Sequence, residues 1–130
     1  MPLVRIDLAK GHPEGFGRAV GEIVYHAMLS EIAVPIDDKF QIITTHEATE
    51  INIPASYLGI EYSPGIIFIQ VTLNAGRTTE LKKKFYKRIA EDLSAELKVR
   101  KEDVFISLIE VSKENWSFGN GEMQYGPVAS

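Results

Sequence analysis

Residues 66–79 read Ile66-Ile-Phe-Ile-Gln-Val-Thr-Leu73-Asn-Ala-Gly76-Arg-Thr-Thr79. Ile66–Leu73 is almost continuously apolar, as a central strand is. Gly76 ends it, and Thr78 or Thr79 can cap a following helix through its side-chain oxygen. Around 79–98 apolar residues recur every three or four positions, the mark of a one-sided helix. Val104–Val111 reads as a closing strand. A strand, a turn, a helix and a strand in one sheet normally form a right-handed parallel crossover.

Working outward, the same order recurs upstream. A shift of 65 residues lays the chain on itself without a gap. Val4, Ile6 and Leu8 fall on Ile69, Val71 and Leu73, and Gly11 falls on Gly76. Phe16, Val20, Val24, Met28 and Ile32 fall on Leu81, Phe85, Ile89, Leu93 and Leu97. Val34, Asp38 and Phe40 fall on Val99, Asp103 and Phe105. The first half therefore reads as a strand over Leu3–Ala9, alternating as a half-buried strand does. A helix around 13–33 follows, with Pro13 suited to its first turn, and then a strand over Lys39–Thr45. The expected fold is α/β (α+β): a duplicated β-α-β unit, with a four-stranded sheet and two helices on one face. Residues 1–130 are read as one domain, with repeats 1–46 and 66–111, a linker 47–65 and a Gly-rich tail 112–130. Two helices on one face leave the other bare. Ile67, Ile69, Val71 and their cross-strand neighbours cannot all point at the helices, so a second copy of the chain is expected to cover that face.

Composition narrows the function. The 130 residues are enough for one domain with a real core. The absence of cysteine removes disulfides, thiolate metal sites and a cysteine nucleophile. A net charge of -4 gives no basic footprint for nucleic acid. No apolar run suggests a membrane helix and no secretory signal is visible, so a cytoplasmic protein is expected. His12, His26 and His46 show no metal-ligand spacing.

Three places carry candidate chemistry. Removal of Met1 would expose Pro2 as a secondary amine. An α-amino group titrates near about 7.7–8.0, and burial lowers that by disfavouring the ammonium. A neutral amine near pH 7 is a general base. The turn Asn74-Ala75-Gly76-Arg77 lies between a strand end and a helix N-terminus, where ligands gather in α/β units. Arg77 there is either a fork for a carboxylate or a solvated side chain beside a turn. Asp37-Asp38 precedes a strand and serves either to orient a proton or to make the turn. Its repeat mate Glu102-Asp103 favours the turn. Trp116 and Phe118 form either an apolar wall or a subunit contact, and interface packing is the safer reading. Glu22 with His26, and Lys82-Lys83-Lys84, read as solvated surface.

Taken together, the sequence resembles the tautomerase superfamily, and within it the subgroup around malonate semialdehyde decarboxylase. The resemblance covers nearly the whole chain. It rests on Met-Pro-Leu-Val-Arg-Ile-Asp-Leu at 1–8, Val-Pro-Ile-Asp-Asp-Lys-Phe-Gln at 34–41, Phe-Ile-Gln-Val-Thr-Leu-Asn-Ala-Gly-Arg-Thr at 68–78 and Asn-Trp-Ser-Phe-Gly-Asn-Gly at 115–121. It implies that Pro2 is an amino-terminal catalytic proline, Asp38 a catalytic aspartate and Arg77 a ligand for substrate carboxylate or carbonyl oxygen. It further implies an aromatic pocket wall of Trp116 and Phe118, and a homotrimer with its sheets inside. The subgroup carries a second arginine just before its turn. This chain reads Thr72-Leu73-Asn74-Ala75 there, with Asn74 or Ala75 nearest.

The function expected is keto–enol tautomerisation of a small 2-oxo acid. Pro2 moves the proton, while Arg77 and the helix N-terminus hold the carboxylate. No cofactor is needed, because the carbonyl is the electron sink. One alternative is a decarboxylase or hydratase of a 3-oxo acid, with Asp38 activating water. Another is a non-catalytic trimeric binding protein.

Overall fold

The structure, a computed structural model, describes residues 2–126. Strand β1 (Leu3–Ala9) leads to helix α1 (Phe16–Glu31) and strand β2 (Phe40–His46). A short hairpin of β3 (Ser56–Tyr57) and β4 (Ile60–Glu61) lies in the linker. Then come β5 (Ile67–Asn74), α2 (Thr79–Leu97) and β6 (Val104–Val111). The four long strands lie in the order β2-β1-β5-β6. β1 is parallel to β2, and β5 to β6, while the central pair β1 and β5 is antiparallel.

The two units agree beyond their element order. Each helix ends in a left-handed residue at equivalent positions, Ala33 (φ 54°) and Lys98 (φ 57°). The amide of Val34 donates to the Met28 carbonyl, and its mate Val99 donates to Leu93 (3.2 Å each). This is the hydrogen bond that closes a helix through a left-handed cap. The turns after β1 and β5 are also equivalent, with Gly11 at φ 116° and Gly76 at φ 132°, values that suit glycine.

Helix starts differ. Thr78 caps α2, its hydroxyl accepting from the Leu81 amide at 3.2 Å. The first helix begins at Phe16, not at Pro13. The Pro13 carbonyl accepts from the Phe16 amide, and Gly15 holds the N-cap in a left-handed conformation. Gly17 allows α1 to lie close over β2, since a Cβ there would stand 2.7 Å from the Ile43 side chain.

One face of the sheet is fully packed. Val4, Ile6 and Leu8 of β1 and Ile67, Ile69, Val71 and Leu73 of β5 are at most 3% exposed, beneath Val20, Val24, Met28, Phe85, Ile89 and Leu93. Each such side chain contributes roughly 1.5–3 kcal/mol by leaving water. This corrects the expectation for Ile67, Ile69 and Val71. All three point at the helices, because strict alternation along β5 sends Phe68, Gln70 and Thr72 to the other side.

The open face is mixed, with Phe68 on the central strand β5 packed against Phe105 of β6 at 5.1 Å between centroids. Its middle holds Arg5, Asp7, Gln70 and Thr72, and Asp7 lies 2.7 Å from His46. Phe40 and Ile42 on β2, and Phe105 and Ile109 on β6, stay 40–50% exposed.

Candidate active site

The antiparallel centre decides where the candidate residues meet. Leu3 pairs with Phe40 on one side and with Thr72 on the other. Pro2, one residue further out, is buried. It stands at the end of the sheet where Asp38 and Lys39 lead into β2 and where Leu73 and Asn74 leave β5. Residues far apart in sequence are thus gathered by register.

A tight loop holds Asp38. Asp37 takes a left-handed backbone (φ 71°), and its amide donates to the Tyr25 hydroxyl at 3.0 Å. The Asp38 amide donates to the Pro35 carbonyl at 3.2 Å, and the Lys39 amide to the Asp37 carbonyl at 2.8 Å. Lys39 pairs with Glu22 and lies 5.1 Å above the Tyr25 ring. The Asp38 carboxylate is left half-buried. Tyr25 was invisible as a site residue in the sequence, where it reads as one more buried position of α1.

Arg77 is neither a free fork nor a solvated side chain. Its Nε and Nη2 donate to the Ile32 carbonyl (3.2 Å each), and Nη1 donates to the Asn74 carbonyl at 3.1 Å. It closes the C-terminal end of α1, where carbonyls lack intrahelical partners and favour a cation. A guanidinium has five N–H groups, so two remain for a ligand. Glu110 supports the same turn. Its carboxyl is held below the usual range by a hydrogen bond from Lys82 first (2.6 Å), and also by the Gly76 amide and the nearby Arg77 charge.

Asn74 and Trp116 are joined. The indole N–H donates to the Asn74 side-chain oxygen at 2.7 Å. The Trp116 ring stacks on Phe118 with centroids 5.4 Å apart, and Phe118 meets Tyr125 edge-on at 5.1 Å. The Phe118 amide donates to Gln124, which donates back to the Gly119 carbonyl. The tail therefore folds onto the Pro2 end of the sheet through Asn74. Among the described residues no cluster of three or more acidic or histidine side chains is placed to hold a metal ion, and no helix is long and apolar enough to cross a membrane.

A β-α-β duplication with an antiparallel centre, a buried proline at the head of its first strand and an arginine-bearing turn beside it define a tautomerase-type fold. The family profile described as "Tautomerase enzyme" matches residues 38–119. The chain is 44% identical over 124 residues to the probable tautomerase YusQ of Bacillus subtilis, covering 95% of this chain and 98% of that one. The chain belongs to the tautomerase enzyme family. It is also similar to FG41 malonate semialdehyde decarboxylase, solved with 3-bromopropiolate as inhibitor. That match has 38% identity, a TM-score of 0.86, and covers 95% and 93% of the two chains. A fused 4-OT solved as a symmetric trimer is similar at 25% identity and a TM-score of 0.75, covering 92% and 94%.

Proposed function

We propose that this enzyme interconverts keto and enol forms of a small 2-oxo acid, with the amine of Pro2, freed by removal of Met1, as the proton carrier. The neutral amine takes a proton from the carbon beside the carbonyl. The C–H electron pair moves into the carbonyl, and the proton returns to one end of the resulting enolate. The two remaining N–H groups of Arg77 hold the carboxylate, and the Asn74 amide donates to the carbonyl oxygen as charge builds there. Trp116 and Phe118 shield the reacting carbon from water, and Asp38 keeps a proton within reach of the amine. A homotrimer of the kind reported for the fused 4-OT would cover the apolar edges of the open face.

The observation that carries this reading is the pairing of Leu3 with both Phe40 and Thr72. It brings the amine, the acid and the arginine turn to one end of the sheet. The test is decay of enol absorbance with phenylpyruvate, read beside CO2 release from malonate semialdehyde on the same preparation. The second reading, decarboxylation or hydration of a 3-oxo acid, draws support from the similarity to FG41 malonate semialdehyde decarboxylase. In it Asp38 activates water and protonated Pro2 polarises the carbonyl. Efficient CO2 release without enol turnover would replace the first reading with the second.

A further inference from the structure

The 65-residue repeat demands a mate for the Pro2 site at the opposite end of the sheet. Because β1 and β5 are antiparallel, each end takes the start of one central strand and the end of the other. At the second end Ile67 stands for Pro2, Ala9 for Asn74, His12 for Arg77, Ile51 for Trp116 and Ile53 for Phe118. A cleft of about 400 Å3 lies there, lined by Ala9, Ile51, Ile53, Pro54, Tyr62 and Ile66 among others. That volume lies in the range of small-molecule sites.

We infer that this cleft is a second, non-catalytic binding site for an uncharged, ring-sized apolar molecule carrying one hydroxyl or carbonyl group. The replacements remove the amine, the guanidinium and the amide of the first end and leave aliphatic walls. No charged side chain lines the cleft. The nearby charges are already engaged. Asp103, 3% exposed, accepts from the Ser63 amide at 2.8 Å, from the Ser63 hydroxyl and from Arg100 Nη1 at 3.3 Å. Arg100 Nη2 donates to the Glu61 carbonyl at 3.2 Å. A carboxylate entering the cleft would lose water without gaining a cation, which excludes the ligand class proposed for the first end. Tyr62 and Ser63 carry the hydroxyls of the lining, and since that of Ser63 is engaged by Asp103, the Tyr62 phenol is assigned as the polar handle. The comparison with the first end rests on the function proposed above, whereas the cleft and its lining stand apart from it.

The test is titration of 4-methylphenol into the 15N-labelled full-length protein. Saturable shifts are expected at Ala9 and residues 48–66, with a Kd of about 1 mM, as suits so small a ligand. Ala55→Trp, which fills the cleft from its rim, and Ile53→Asp should each weaken binding about tenfold or more and leave phenylpyruvate turnover unchanged. The carboxylate analogue 4-methylbenzoate should bind about tenfold or more weakly. Shifts gathered at Leu3, Asn74 and Trp116, indifference to Ala55→Trp, equal binding of the carboxylate, or no saturation would each overturn the inference. Cleft binding in a protein that turns over no phenylpyruvate would uphold it and remove the proposed function alone.

Discussion

The indole N–H of Trp116 donates to the side-chain oxygen of Asn74 at 2.7 Å. An indole nitrogen can only donate, so the amide of Asn74 must turn its oxygen to the tryptophan and its NH2 away. The contact thus fixes which end of the Asn74 amide points away from the tryptophan. Asn74→Asp keeps an acceptor for Trp116 but removes the NH2 and sets a negative charge beside Arg77. It should preserve the emission of the single tryptophan and raise KM for a 2-oxo acid about tenfold or more. Asn74→Leu should shift the emission as well.

Pro2 is expected to be the amino terminus of the mature protein. Intact mass of untagged protein should be lower by one methionine. Pro2→Ala, or any N-terminal extension, should lower kcat about a hundredfold, the usual contribution of a general base. Full activity with Met1 retained would rule out the amine mechanism.

Arg77 holds the Ile32 carbonyl in the structure and is proposed to hold substrate as well, and substitutions should separate the two. Arg77→Ala strips the Ile32 carbonyl of its charged donor and, on the proposed function, the substrate of its cation, so both Tm and kcat/KM should fall. Charge-assisted hydrogen bonds contribute about 1.5–3 kcal/mol, which implies a loss of about tenfold or more in kcat/KM. Arg77→Lys should recover part of the stability but not the two-pronged grip on a carboxylate. Lys83→Ala, on the solvated side of α2, should change neither.

Assembly should depend on the edges of the open face. Light scattering is expected to give three times 14.5 kDa. Ile42→Lys with Ile109→Lys, which places cations on both apolar edges, should yield smaller species with lost activity. A wild-type protein that stays monomeric at micromolar concentration would contradict the trimer.

His12 should make stability fall in weak acid. Its ring stacks on Phe16 with centroids 4.0 Å apart, and burial holds its pKa below the ordinary 6.5. The unfolded chain therefore binds the proton first as pH drops. Stability should decline from about pH 6.5 down through the lower native pKa and level off beneath it. His12→Phe should flatten that part of the profile, read as urea midpoints at about pH 7.5 and about pH 5.

Much of the architecture was legible because it follows from side-chain period. Leu3–Ala9 and Val104–Val111 alternate or run apolar to their observed ends, and Thr78 announces its helix. Other features depend on backbone conformations the side chains disguise. The β3–β4 hairpin turns through Leu58 (φ 50°) and Gly59 (φ 80°). Such a turn needs two positive φ values, and a leucine in the first place hides it. Pro13 looked like the first turn of α1, yet the left-handed Gly15 sets the start three residues later, at Phe16. At the candidate site, Pro2, Asp38 and Arg77 drew their expected roles mainly from family likeness, since local chemistry left each with a plain structural alternative. The clamp of Tyr25 on Asp37 and the bond of Arg77 to Ile32 join residues 12 and 45 apart in sequence. Neither pairing leaves a mark in local sequence.

The docking of Trp116 onto Asn74 has a consequence for the birth of the protein. Asn74 is made 42 residues before Trp116. Ribosomal synthesis at about 5–20 residues per second therefore delivers the amide several seconds before its indole partner. A chain broken off after β6 would contain both helices and all four long strands yet lack the donor that turns the Asn74 amide. The orientation of the Asn74 side chain is thus settled only after the last strand has been made.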